Sequence, residues 1–298
     1  MIALQHLNFH HLFYFWTVAK EGHLTRAANQ LHVSQSALSS QIRKLEEQFG
    51  YDLFIREGKT LILTELGTVV LNYAEGIFAL GNELLSTVNA GEGQAMQQLR
   101  VGAVSTLSRN FQENFLRPVL ELKNVQLFLE SRSLETLLSH LSVHKLDLIL
   151  SNQPVSADRN ESWRCSRIAR QSVCLVGPPR KPKNKKFKFP NDLASIKLLL
   201  PGLNSDIRNQ FDLLCENLKF DIDVFAEVDD MAMLRLLTRD YGGAAVVPEV
   251  VVQDELLSGK LEKYCIIPKV YENFYAITTK RYFKTTALDK LLNTKKSK

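Results

Sequence analysis

The sequence predicts an α/β protein built as a small helical head, one long helix and a larger domain. Three observations carry this prediction. Residues 23–49 contain two short helical runs with apolar stripes, residues 66–84 carry a heptad-spaced stripe, and from Leu99 onward strand-like and helix-like runs alternate. A chain of 298 residues has room for one small and one larger domain, each with a real core. Hydrophobic residues at 45% and charged residues at 23% are ordinary for a soluble globular protein. No apolar run approaches the roughly 18–20 residues that span a bilayer. No basic-then-apolar leader opens the sequence, so the expected location is cytoplasmic, with no membrane partner.

In the head, HLTRAANQLHVSQSALSSQIRKL reads as two helices and a tight turn. Ala27, Ala28 and Leu31 share a face of the first helix, and the alanines permit close helix approach. In the second, Leu38, Ile42, Leu45 and Phe49 recur at spacings of four, three and four, which makes a buried stripe. Ser34 is a good N-cap for that helix. The opposite face carries Gln35, Ser36, Ser39, Ser40 and Arg43. Such a layout is that of a helix-turn-helix, whose second helix enters the major groove. An ordinary amphipathic pair with a solvated face has the same periodicity, and the flanks favour the first reading. Arg56 and Lys59 follow in IREGKTLILT, a short basic segment between apolar runs that suits a strand-like wing. Small polar residues can approach bases and phosphates closely, and arginine contacts phosphate or guanine.

The segment from His10 to Gly67 resembles the winged helix-turn-helix of LysR-type transcriptional regulators. The matching positions are Leu12-Phe13, Gly22, Ala27-Ala28, Leu31, Ser34-Gln35, Ser39, Gln41-Ile42, Leu45-Glu46, Leu53-Phe54, Arg56 and Leu63-Thr64-Glu65. Many spaced matches make this far more specific than a short motif. Ser36 stands where the family usually has Pro, His23 where it often has Ser, and Gly58-Lys59-Thr60 replaces a more arginine-rich wing. Within the family, FHHLFYFWTVAKEG, LSVHKLDLILSNQPV, LLLPGLNSDIR and FAEVDDMAML resemble the activators of sodium/proton antiporter genes. The resemblance implies a sequence-specific DNA-binding regulator, an activator of antiporter or salt-response genes, with RNA polymerase as a partner. The expected DNA contacts are Thr25, Gln35, Ser36, Ser39, Ser40, Arg43, Arg56 and Lys59.

Charge alone would not predict this. The chain carries +5 overall, yet residues 1–90 hold six Lys/Arg against eight Asp/Glu, a net of −2. DNA affinity must therefore come from placement, with Arg43, Arg56 and Lys59 on one surface and the acids elsewhere. The surplus positive charge lies at Arg180–Lys188 and in the tail Lys295-Lys296-Ser297-Lys298. Prolines 178, 179, 182 and 190 interrupt the first of these, which reads as a solvated loop.

Thr64 and Glu65 open the long helix as cap and as negative charge at its positive end. Leu66, Val70, Tyr73, Ile77, Leu80 and Leu84 then repeat at four, three, four, three and four. Packing on the head is the plain alternative, but the heptad spacing favours pairing with a second copy. A helix over 65–90 would be on the order of 40 Å long. Gly91 and Gly93 end it. A homodimer presents two recognition helices, hence a promoter with approximate two-fold symmetry. Family members commonly pair such dimers into a homotetramer.

Beyond the hinge, strands are expected at LRVGAVS, VQLFLES, LDLILSN, SVCLVG, IKLLLP, FDIDVFAEV, GAAVVP and FYAITTK. Helices are expected near 108–120, 134–143, 206–218, 230–238 and 286–292. Alternation of this kind implies largely parallel sheets in two subdomains. The family resemblance implies the bilobed fold of periplasmic binding proteins, with the last strand and helix returning to the first lobe. The domains are then 1–64 for DNA binding, 65–92 for dimerisation and 93–298 for effector binding. Lobe I comprises about 95–168 and 269–298, and lobe II about 169–268.

Ligands of open α/β sheets sit beyond the carboxyl ends of strands. Those ends carry Ser105, Thr106, Ser131, Gly202, Asn204, Asp229, Asp230 and Pro248, the expected effector site. Hydroxyls at a helix start suit an anion or a carbonyl oxygen. Asp229 and Asp230 suit a hard cation such as sodium, although capping the next helix is the more ordinary role for acids there. The effector is thus a small molecule or an ion: sodium by the subgroup resemblance, a small metabolite anion of another operon by the broader family. A solute-binding protein is disfavoured by the helix-turn-helix and the missing leader. An enzyme is disfavoured because GxSxG, GxGxxG, P-loop and HExxH motifs are absent. His140 and His144 sit one helical turn apart without an evident third ligand, and Cys165, Cys174, Cys215 and Cys265 lack metal or disulfide spacing. No cofactor and no metal is expected.

Overall fold

The computed structural model describes residues 7–57, 60–89, 96–156, 163–180, 187–279 and 286–293. Lys59, residues 181–186 of the basic run, the hinge glycines 91 and 93 and the lysine tail lie outside the described residues. Two compact units divide the chain: Met1–Met96 with Ser142–Lys145, and Gln97–Leu141 with Leu146–Lys298.

The head contains α1 (Phe9–Glu21), α2 (Leu24–Gln30), α3 (Gln35–Phe49), β1 (Phe54–Glu57), β2 (Thr60–Leu63) and the long α4 (Glu65–Asn89). Local chemistry fixes each boundary. Asn8 accepts the His10 and His11 amides at the start of α1, and Gly22 closes that helix at φ 64°. His23 Nδ1 accepts the Thr25 amide at 3.3 Å, so it performs the capping expected of a serine at that position. Ser34 Oγ accepts the Ala37 amide at 3.1 Å, and Gly50 ends α3 in the left-handed region. Thr64 Oγ1 accepts the Gly67 amide at 2.8 Å and donates to the Asp52 carbonyl, which caps α4 and ties it to the segment before the wing.

Two small cores result. Val18, Ala27, Ala28, Leu38 and Ile42 bury the contact between the first three helices. Leu12, Phe15, Leu45, Leu53 and Ala74 bury the contact with α4. The wing is an antiparallel pair in which Phe54 pairs with Leu63 and Arg56 with Leu61. Where α4 begins, a Cβ on Gly67 would lie 2.1 Å from the Leu53 carbonyl oxygen, a backbone atom that cannot rotate away. Gly67→Ala is therefore expected to cost about 1–3 kcal/mol, in the range of overpacked cores. A thermal melt of the full chain checks this, and an unchanged midpoint would show that α4 shifts freely against Leu53.

The larger unit is one eight-stranded sheet of order β4-β3-β5-β10-β6-β9-β7-β8. Its strands are β3 (Gln97–Val104), β4 (Val125–Arg132), β5 (Leu148–Ser151), β6 (Trp163–Gly177), β7 (Leu198–Pro201), β8 (Val224–Val228), β9 (Ala244–Pro248) and β10 (Glu262–Thr279). The helices are α5 (Arg109–Leu120), α6 (Leu134–Ser142), α7 (Asp206–Asn217), α8 (Met231–Tyr241), α9 (Gln253–Leu257) and α10 (Thr286–Asn293). The parallel expectation holds for β3 with β4 and β5, and for β7 with β8 and β9. Antiparallel pairing enters with β6 and β10, which run the length of both halves and pair from Glu262–Gly177 to Thr279–Trp163. Around their middle the register shifts between Ile266 and Tyr271.

Sequence reading placed only the ends of these two strands. The first half of β6 alternates exposed polar residues such as Arg164 and Arg167 with half-buried ones, so it lacks the continuous apolar run of Val173–Val176. In the other direction, FDIDVFAEV is shorter than expected, since the strand begins only at Val224.

Candidate functional site

On the head, Gln35, Ser36, Ser40 and Arg43 are exposed along one side of α3, and Ser39 is half-buried beside them. Thr25 on α2 donates through Oγ1 to Gln35 Oε1 at 3.3 Å, which couples the start of the recognition helix to the helix before it. Ser36 Oγ lies 3.1 Å from Ser34 Oγ. The opposite side of α3, Leu38, Ile42 and Leu45, is buried, so the polar face is presented by packing. Glu46 turns inward, where its Oε1 accepts the Leu53 and Phe54 amides and anchors the first wing strand. Thus one of the acids that offset the head's basic residues is used in the fold. Arg56 lies on β1, and Lys59 lies outside the described residues.

The apolar seam of α4 divides. Leu66, Val70 and Ile77 pack against the head's own core, together with Leu71 and Phe78. Tyr73, Leu80 and Leu84 are exposed, and Val69 and Val88 extend their stripe. A straight helix turns 100° per residue, so a heptad-spaced set spreads into two edges of one face. The edge against α1 is consumed by the head. What remains is an uncovered stripe along the outer edge, with Leu84 65% and Val88 71% accessible.

In the larger unit the expected effector residues gather at the carboxyl ends of the parallel strands. Ser105 is exposed and Thr106 half-buried after β3; Ser131 is exposed near the end of β4. Gly202 follows β7, and its carbonyl accepts the Ser205 amide at 2.9 Å; Asn204 is exposed in that turn. A Cβ on Gly202 would sit 1.7 Å from Asp229 Oδ1, so the Asp229 side chain lies directly against this glycine. Asp230 Oδ1 accepts the Ala232 and Met233 amides at 2.7 and 3.0 Å, the ordinary capping role. Pro248 ends β9, paired with Val173 of β6.

Sequence reasoning missed a group on the long strand β10, beside the carboxyl ends of β3 and β5. Glu272, in the middle of β10, is 3% accessible. Its Oε1 accepts from Asn152 Nδ2 at 3.1 Å, and Asn152 Oδ1 accepts from Thr106 Oγ1 at 3.2 Å. Its Oε2 is buried without a hydrogen-bond partner among the described residues. Burial pushes the Glu272 carboxyl up to about 7, Asn152 opposes this, and the nearby charge of Asp206 adds to it. Beside it Gln210 of α7 pairs with the Tyr271 backbone in both directions at 3.0 Å. The same amide donates to Asp206 Oδ2 at 2.8 Å. No periodicity signals a residue such as Glu272; a lone acid inside YENFYAITT was its only trace.

His140 and His144 do not form a metal pair on one helix. Helix α6 ends at Ser142, His144 lies beyond it at φ 59°, and His140 Nδ1 is 2.6 Å from Glu130 Oε1. Among the described residues no group of three His, Cys, Asp or Glu is placed to hold a metal. Burial pushes the Cys174 thiol up to about 12 and those of Cys215 and Cys265 up to about 11, which disfavours the reactive thiolate.

A winged helix-turn-helix that presents the polar face of its second helix, carried on a chain with an α/β domain, defines the class of one-component DNA-binding regulators. Comparison with known proteins specifies it further. Residues 9–68 match the family described as bacterial regulatory helix-turn-helix protein, lysR family, and residues 92–296 match the LysR substrate binding domain. The transcriptional activator protein NhaR of Escherichia coli K12 is 30% identical over 98% of this chain and 96% of its own length. The RuBisCO operon transcriptional regulator of Allochromatium vinosum is 30% identical over 59% of this chain and 58% of its own. Among solved structures, CbnR complexed with its target DNA has a TM-score of 0.70 at 19% identity, covering 97% of this chain and 99% of that one. A full-length variant of OxyR from Pseudomonas aeruginosa has a TM-score of 0.67 at 22% identity, covering 98% of both chains. The chain belongs to the LysR family of transcriptional regulators. It is a DNA-binding regulator with an effector-binding domain, not an enzyme.

Proposed function

We propose that this regulator activates transcription of sodium/proton antiporter or other salt-response genes as a homodimer in the cytoplasm. The full-length similarity to NhaR carries the reading, because it spans both the DNA-binding and the effector-binding parts. In this account Thr25, Gln35, Ser36, Ser39, Ser40 and Arg43 face the promoter, and Arg56 and Lys59 of the wing hold phosphate. Residues at the carboxyl ends of β3, β4, β7, β8 and β9 take the effector. Effector binding changes lobe closure or dimer packing, and so the spacing of the two reading heads, and RNA polymerase reads that change.

The outer stripe of α4 supports the dimer, since apolar residues exposed in a row on one edge of a helix call for a partner. The sheet edges support a further pairing into a tetramer. Edge strand β4 exposes Phe128 and Leu129, and edge strand β8 exposes Val224 and Phe225. Uncovered apolar edges are what proteins pair or block.

Two outcomes check the reading. In a strain lacking this gene, an antiporter promoter should lose its several-fold response to added sodium chloride, with potassium chloride as control. A response that persists without the gene would contradict it. At the level of single contacts, Gln35→Ala should relax preference at one base pair by about 1–3 kcal/mol while leaving the salt slope of binding unchanged. Binding to random duplexes and to singly substituted operators measures this, and a uniform loss across all sequences would assign Gln35 to phosphate instead.

A further inference from the structure

We propose that the segment Ser142–Lys145 is a latch on α4, and that undocking it changes how the reading head is presented to DNA. These four residues lie between α6 and β5 in the chain, yet by their contacts they belong to the compact unit of the head and α4.

Backbone and side chain both hold the segment there. Gly76, in the middle of α4, is buried, and a Cβ on it would lie 1.7 Å from the Val143 carbonyl oxygen and 2.9 Å from its carbon. Only a hydrogen fits in that place, and it points at the carbonyl as a Cα–H···O contact. Next to it, Lys145 Nζ pairs with Glu75 Oε2 at 2.6 Å, and both side chains are half-buried. The loop bends sharply between Val143 and Lys145, since His144 stands in the left-handed region at φ 59°. Few residues with a side chain adopt that conformation, and it persists where the surroundings hold it. A glycine inside a helix is unfavourable as well. Two locally costly choices, Gly76 and the turn at His144, are thus accounted for by one contact.

The place of Gly76 on α4 gives the latch its leverage. At about 100° per residue it falls beside Val69 and Leu80 of the uncovered stripe, away from Leu71, Ala74 and Phe78, which pack on the head. Helix α4 therefore offers one side to the head and another to the loop. The stripe between them is the one that the dimer reading gives to a partner. Val143 occupies the flank of Leu80, so a seated loop restricts how a partner helix lies in that seam.

Chain connectivity gives the latch something to report. The loop joins the end of α6 to the start of β5. The other end of α6 follows directly on β4, and the other end of β5 is Ser151, next to Asn152. Both elements are rigid and packed, so a displacement at the strand carboxyl ends reaches the loop through either of them. This last step rests on the reading of those ends as the effector site; the latch and its effect on DNA reading do not.

The test is amide hydrogen exchange of the full-length protein, read beside footprints on DNA from upstream of its own gene in the same buffer. Gly76→Ala sets a Cβ against the Val143 carbonyl while favouring the helix itself. The amides of Val143, His144 and Lys145 should then exchange about tenfold faster or more, and those of Leu12, Phe15 and Leu45 in the head's core as in wild type. Lys145→Glu, which faces Glu75 with a second acid, should speed the same amides several-fold without crowding the helix. Adding Glu75→Lys to Lys145→Glu should restore the wild-type rate. Both opened variants should alter the footprint in extent or shift its affinity several-fold, and the charge-swapped pair should bring it back. Wild-type exchange in both Gly76→Ala and Lys145→Glu overturns the latch. An opened latch with a wild-type footprint overturns its coupling to DNA reading. None of these readouts needs an effector, so the effector-site reading can fail while they succeed. A wild type that protects no DNA would contradict the regulator reading, and the coupling with it, while exchange still reports on the latch.

Discussion

Leu80→Glu with Leu84→Glu is expected to convert the proposed dimer to monomers and to lower operator affinity by about 10²-fold or more. These two leucines lie on the edge of α4 that the head leaves uncovered. Their replacement should therefore spare the core formed by Leu12, Phe15, Leu45, Leu53 and Ala74. In a two-fold pairing each substitution appears twice, and four carboxylates would face one another across the seam. Affinity falls because two heads on one dimer bind an operator at high effective concentration, and two monomers do not. Light scattering gives the mass, and gel shifts at constant salt give the affinity. A dimer that survives both substitutions would place the interface elsewhere, and the outer stripe would need another occupant.

Phe15→Ala should be as damaging by a different route. Phe15 is fully buried in α1, and its ring centroid lies 5.2 Å from that of Phe54 on the first wing strand. It also belongs to the cluster that holds Leu45 of the recognition helix and Ala74 of α4. Truncating a buried phenylalanine costs about 3–5 kcal/mol, through lost burial and the cavity left behind. A small head has little stability to spare, so operator binding should vanish at temperatures the wild type tolerates. Calorimetry of the full chain should show the head's transition displaced downward. Retention of wild-type melting and DNA binding would mean that the cavity closes without cost, contrary to the packing described.

The helix-turn-helix was legible because its determinants are local. Ser34 caps, Leu38, Ile42 and Leu45 repeat at helical spacing, and Ala27 and Ala28 allow close approach, all within one short stretch. The seam of α4 was only half legible. A head that packs on the helix and a partner that pairs with it demand the same apolar residues at the same spacing, so Leu66 and Tyr73 look alike until the fold separates them. The alternating strands and helices were legible for the same local reason, apart from the two long strands β6 and β10, where exposed polar residues interrupt the positions that pack on the core. Asp230 was legible as a cap, the more ordinary of its two expected roles, and its carboxylate does accept the amides of α8. Glu272 was illegible. Its character comes from Asn152 and Asp206, which are distant in sequence, and from a burial that no single-residue pattern announces.

The central claim is that this chain reads promoter DNA as a symmetric regulator whose contact changes with its effector. A footprint of the purified protein on DNA upstream of its own gene and of an antiporter gene tests it most directly. Sodium and potassium should be exchanged at fixed ionic strength, because total salt alone shifts affinity steeply through phosphate counterions. The account predicts a protected region of approximate two-fold symmetry whose extent or affinity changes with sodium and not with potassium. Protection with no preferred sequence, or one identical in both salts at every pH tested, would contradict it.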